Sequence, residues 1–304
     1  MLRARLNILT SSSPSAAPFS TNIGRIMTKQ QDVIWLRDVA GLDRCRNTVC
    51  CAIDPDRERT RMAVLFPGDI MDEESQMPSQ LREFSFEKTV ASLLKHDRSV
   101  SSAIVVRPAK HFGDTAWFSN FVSAAPNSGD APYRSDGHAT EHLYSLLENI
   151  SEKLKMDAVP RLVLAGFSRG GVVINQMITE LARQKHDNVW SRVDEVRWID
   201  TGNSPGAGAF PLDEIASKKF AEVARSHSVK LLIAGSPFQW KNPFRPSIIR
   251  ERQKFVRILR PYLSHSHLAV RYHFADGSPS LDAHFAMLID HLHPETGIDI
   301  TAGA

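Results

Sequence analysis

The sequence predicts an α/β fold, a mostly parallel sheet with helices on both faces. Three observations carry this. Apolar β-prone runs alternate with helical apolar patterns along most of the chain, and parallel strands need helical crossovers. One strand-like run ends in a sharp Gly-x-Ser-x-Gly turn that leads straight into a helical pattern. The 304 residues are 42% hydrophobic and 23% charged, enough for one large core, and no interior stretch reads as a linker.

The elements follow in order. Residues 33–36 and 48–53 are early strand candidates. Met62–Phe66 is a short β-prone run, stopped by Pro67-Gly68-Asp69. A helix falls within 79–95 and a strand at Ala103–Val106, whereas 107–137 shows no clear pattern. A helix from His138 to about Lys155 leads to the strand that opens at Arg161. Val172, Val173, Met177, Ile178 and Leu181 recur at helical spacing. Val193–Asp200 is the next strand, followed by a glycine-rich loop at 201–209. Ile215, Phe220 and Val223 mark a helix. Val229–Ala234 is a strand, 247–260 a helix, Leu268–Phe274 a strand and Asp282–Leu292 the closing helix.

Charge separates the chain into a tail and a body. Residues 1–31 hold Arg3, Arg5, Arg25 and Lys29, five serines and no acid. That is the composition of an organelle transit peptide, with a disordered tail as the alternative. The address expected is mitochondrial, in the matrix, ahead of plastid or cytoplasm. Residues 32–304 are expected to form one domain. With 37 basic and 34 acidic residues overall, losing four basic side chains leaves that body at net −1. No basic stripe suits a nucleic-acid backbone, and no apolar run is long enough to span a bilayer. Cys45, Cys50 and Cys51 show no metal-ligand spacing with nearby histidines. No cofactor or metal is expected. The glycine-rich loop lacks the Lys-Ser/Thr ending of a phosphate loop.

The turn Gly166-Phe167-Ser168-Arg169-Gly170 has the pattern of a nucleophile elbow, which presents a serine hydroxyl at the carboxyl end of a sheet. An oxyanion hole needs backbone N–H groups beside it. The amides of Arg169 and of the Gly68–Asp69 turn stand at suitable places in the chain. A serine hydroxyl also needs an imidazole base. In the order serine, acid, histidine, the base follows the last strand, so His284 is the candidate. His273 lies within that strand, His265 and His267 precede it, and His291 and His293 come late in the helix. The usual acid loop, Gly235–Lys241, holds no carboxylate. Asp200, at the end of the preceding strand, is the first candidate, with Asp276 and Asp282 behind it. Aromatic residues at 107–137 and 235–246, among them Trp117, Phe118, Phe121, Tyr133, Phe238, Trp240 and Phe244, either line an apolar pocket or pack on their own loops.

The run from Gly166 to Met177, the Phe66–Asp69 turn and the Asp200–Asn203 stretch together resemble the mitochondrial family named after human chromosome 2 open reading frame sixty-nine. The resemblance runs from about residue 30 to the C-terminus. It implies an α/β-hydrolase-like fold, a mitochondrial address and a hydrolase-type serine at Ser168. The expected activity is hydrolysis of ester or thioester bonds on a small-molecule acyl substrate. The alternative is a non-catalytic hydrolase-fold protein that binds a protein partner or lipid.

Overall fold

A computed structural model describes residues 32–58, 60–124, 133–184, 186–203 and 206–303. The basic, serine-rich tail lies outside the described residues. Nine strands form one sheet in the order β1-β2-β4-β3-β7-β8-β9-β10-β11. They are β1 Val33–Ala40, β2 Arg46–Ile53, β3 Arg61–Phe66, β4 Ser102–Val106, β7 Arg161–Phe167, β8 Val193–Ile199, β9 Lys230–Gly235, β10 Leu268–His273 and β11 Gly297–Asp299. A hairpin of β5 Lys110–Phe112 and β6 Thr115–Trp117 stands apart. The helices are α1 Phe86–His96, α2 Ala139–Lys153, α3 Gly171–Glu180, α4 Asp187–Trp190, α5 Glu214–Ser226, α6 Pro237–Trp240, α7 Pro246–Leu259 and α8 Leu281–Asp290.

From β4 through β3, β7, β8 and β9 to β10 the strands run parallel. Both faces of these strands are buried, because successive side chains alternate faces and each face meets a helical layer. On β3, Met62, Val64 and Phe66 enter one apolar cluster with residues of α2, α3, α5 and α7. Ala63 and Leu65 enter a second cluster with residues of α1 and α8. β7 divides in the same way, with Leu162 and Leu164 on one side and Val163, Ala165 and Phe167 on the other.

The edges depart from the purely alternating pattern. β1 pairs antiparallel with β2, and β2 antiparallel with β4. Only residues 41–45 join β1 to β2, too few for a crossover, so the chain turns back on itself. β11 adds an antiparallel edge beyond β10. Cys50 and Cys51 are buried on β2, where burial pushes the Cys51 thiol up to about 12. No helix among the described residues is long and apolar enough to cross a membrane.

Candidate functional site

Strand order places the site. From β3 the chain moves to β4 on one side, and it returns to β7 on the other, so the connections diverge between β3 and β7. Ligands of open parallel sheets sit at such a switch point, outside the carboxyl ends of the strands. Register brings those ends level: Phe66 pairs with Gly166, Phe167 with Ile199, and Ile199 with Ala234. The next residues along, Pro67–Asp69, Ser168, Asp200 and Ser236, therefore emerge as one row.

Ser168 sits at the tip of the elbow with φ +51°, a left-handed conformation that costs a non-glycine residue about 1–3 kcal/mol. The helical layer behind it over-determines that turn. A side chain at Gly170 would collide with the Phe66 carbonyl, and one at Gly68 would stand 2.8 Å from Ser168 Cβ. The Phe66–Asp69 turn thus lies directly against the serine. The backbone amides of Gly68 and Asp69 find no acceptor among the described residues. Asp69 does more than present an amide. Its carboxylate accepts from Arg169 Nε at 2.9 Å and from the Ala116 amide of β6 at 2.8 Å, tying elbow, turn and hairpin together. Arg169 Nη1 also donates to Asn203 Oδ1 at 2.5 Å.

His284 and Asp200, 84 residues apart in sequence, are in contact. His284 Nδ1 lies 2.7 Å from Asp200 Oδ2, and both side chains are buried. A carboxylate only accepts, so Nδ1 carries the proton and Nε2 presents a lone pair. Asp200 is itself held by the loop that lacks an acid. Ser236 donates its amide to Oδ1 at 2.7 Å and its hydroxyl to Oδ2 at 2.6 Å. Asp200 has φ +43°, and the Gly202 amide donates to the Ser168 carbonyl at 3.2 Å. The imidazole is clamped between Phe167, at a centroid distance of 4.6 Å, and Phe238 at 4.4 Å, both stacked. Arg245 covers the outer face of Phe238 at 4.6 Å and donates to Gln239 Oε1. Burial lowers its pKa, although Asp200 and Asp69 act in the opposite direction. Among the described residues the Ser168 hydroxyl makes no hydrogen bond, with His284 or any other group.

The other candidates go elsewhere. Asp276 and Asp282 are exposed, and His284 pairs with Asp200 rather than with either. His273 is fully buried and pairs with Asp290. Of the loop aromatics, Phe118 and Phe121 pack edge-on against Phe66 in the core, and Phe244 is 91% exposed. Phe238 alone among them contacts the histidine. Sequence reasoning missed Ser236 as the partner of Asp200, although a serine before Pro237 signals a helix cap. No group of three or more His, Cys, Asp or Glu side chains suited to a metal occurs among the described residues.

The family model described as C2orf69 matches residues 35–160 and 155–264. A zebrafish (Danio rerio) protein named as a mitochondrial C2orf69 homolog is 27% identical over 84% of this chain and 80% of its own length. The Homo sapiens mitochondrial protein C2orf69 is 24% identical over 93% and 86%. Among solved structures, a dienelactone hydrolase from Anabaena variabilis superposes with a TM-score of 0.50 at 8% identity, covering 88% of this chain and 97% of that one. At that identity the likeness concerns the fold, which is that of an α/β hydrolase.

Proposed function

The chain belongs to the C2orf69 family, and from that premise and the row of strand-end residues we propose that it is a mitochondrial serine hydrolase of ester or thioester bonds. The domain proposed for this chemistry is 32–304, working in the matrix. The observation that carries the reading is the His284–Asp200 pair held beside a strained serine elbow.

In this reading Ser168 Oγ attacks the acyl carbonyl carbon and passes its proton to His284 Nε2. Asp200 stabilises the imidazolium through the Nδ1–H bond. The amides of Arg169, Gly68 and Asp69 receive the developing oxyanion. Collapse of the tetrahedral adduct expels the alcohol or thiol, which takes the proton from His284. Water then attacks the acyl-serine with His284 as base, releasing the acid. Apo enzymes often hold catalytic hydrogen bonds long, so the open Ser168–His284 gap is compatible with closure on substrate.

The same gap favours a second reading, a non-catalytic hydrolase-fold protein that binds a partner or lipid. A panel of p-nitrophenyl esters and acyl thioesters of graded chain length separates the two. The hydrolase reading predicts turnover by wild type that disappears in Ser168→Ala. Equal rates in both proteins, or none in either, would overturn it.

A further inference from the structure

Arg245 stands at the row of strand ends and forms no ion pair among the described residues. It immediately precedes α7, where Pro246 opens the helix, and its amide donates to the Asn242 carbonyl at 3.0 Å. Its guanidinium lies 4.6 Å from the centre of Phe238, the ring stacked on His284. Nη1 donates to Gln239 Oε1 at 2.9 Å. Gln239 is buried against the loop that follows Asp200: a Cβ on Gly202 would stand 2.7 Å from its Nε2. The Gly202 amide in turn holds the Ser168 carbonyl. One buried side chain therefore ties the Arg245 head to the serine elbow.

The carboxylates nearby are already engaged. Asp200 and Asp69 both act on Arg245 electrostatically, but Asp200 is bonded to His284 and Ser236, and Asp69 to Arg169 and Ala116. Burial lowers the Arg245 pKa, as expected of a cation drawn out of water without a bonded counter-ion.

The remaining donors have a definite shape. With Nη1 on Gln239, Nε and Nη2 are left; neither bonds to a described residue, and neither is sealed from solvent. These two N–H groups lie on one edge of the guanidinium and form the fork that matches a planar carboxylate. The chain uses the same edge on carboxylates elsewhere. Arg107 grips Asp72 with it at 2.8 and 2.9 Å, Arg134 grips Asp136 at 3.0 Å through both nitrogens, and Arg197 grips Glu195 at 2.9 Å through both.

Given a hydrolase acting through Ser168, we propose that Arg245 determines specificity by holding a carboxylate of the substrate, so that acid-bearing esters or thioesters are preferred. The ester group seated at Ser168 supplies the second anchor, so one cation suffices. The carboxylate belongs either to the acyl chain or to the leaving group. Asp69 and Asp200 close by disfavour a dianion such as a phosphomonoester.

Paired substrates test this on the full chain. p-Nitrophenyl hemiadipate against p-nitrophenyl hexanoate probes the acyl side, and 4-carboxyphenyl against 4-carbamoylphenyl acetate probes the leaving group. In wild type kcat/KM should favour the acidic member of one pair by about tenfold or more, carried by KM. Arg245→Gln should abolish that preference, and Arg245→Lys, which keeps the charge without the fork, should restore only part of it. Titration calorimetry of Ser168→Ala with monomethyl adipate and with 4-carboxyphenyl acetate reads the same contact without turnover. Saturable binding of one of the two is expected, weakened by about tenfold when Arg245→Gln is added. Turnover of neutral esters with no preference for acid in either pair would overturn the inference and leave the hydrolase reading standing. No turnover of any ester, with acid binding that depends on Arg245, would overturn hydrolysis and support the carboxylate site. Binding of neither acid, or binding unchanged by Arg245→Gln, would overturn the inference.

Discussion

Among the described residues two buried histidines pair with aspartates, His284 with Asp200 and His273 with the partly buried Asp290, and helix α8 contributes to both. In each, the histidine Nδ1 meets a carboxylate oxygen. They differ in what surrounds the other nitrogen. His273 Nε2 is buried and unpartnered, and a Cβ at Gly297 would come within 2.7 Å of it. Asp290 also accepts from Thr296 at 2.8 Å, so that pair is a closed joint between β10 and the turn before β11. His284 instead stands at the strand ends beside the serine elbow, with its ring faces covered and its edge left free. A histidine–carboxylate contact is therefore not a site in itself. Placement at the switch point and access to Nε2 separate the histidine proposed as a base from the one that braces the fold.

Four substitutions or conditions sharpen that contrast. The largest effect belongs to Ser168→Ala, which should lower ester turnover by about a hundred-thousandfold or more, measured under saturating ester. Asp200→Asn comes next. It should cost about a thousandfold to ten-thousandfold in kcat, because an amide facing Nδ1 favours the wrong tautomer. The matching change, Asp290→Asn, should leave kcat within about twofold and cost about 1–3 kcal/mol of stability, read by urea unfolding. If Asp290→Asn abolished turnover and Asp200→Asn did not, the roles assigned to the pairs would be reversed. Phe238→Leu removes one wall of the imidazole clamp and should lower kcat by about tenfold, with KM little changed, as loss of orientation requires.

Buried imidazoles without a carboxylate complete the comparison, and they act on stability. His142 accepts from the Leu42 amide and its Nε2 meets Asn47 Oδ1, so it is satisfied only when neutral. Burial lowers its pKa to about 4. The unfolded chain, titrating near 6.5, then binds more protons than the folded one between about pH 6.5 and 4. His142 contributes its full stability above that window and loses it as the pH falls through it. Melting temperatures recorded from pH 7 to 4 should decline, and His142→Asn should decline less steeply.

Features set by local chain chemistry were the legible ones. The elbow could be read because glycine spacing and the change from strand to helix period both lie within fifteen residues. The strand ending at Asp200 was visible for similar reasons. What escaped depends on neighbours distant in sequence. Ser236 holds Asp200 only because β8 and β9 lie in register. The ion pair of Asp69 with Arg169 spans 100 residues. The β5–β6 hairpin was hidden because Lys110, His111 and Phe112 are all exposed, which leaves no apolar alternation to detect. The antiparallel start followed from a short connection that composition alone did not flag.

The central claim is that Ser168 is a nucleophile activated by His284 and oriented by Asp200. Its most direct test is the mass of the intact protein after incubation with a fluorophosphonate, followed by peptide mapping. The account predicts one adduct, located on Ser168, lost in Ser168→Ala, strongly slowed in Asp200→Asn and unchanged in Asp290→Asn. An unmodified folded protein, or an adduct that persists in Ser168→Ala, would contradict it.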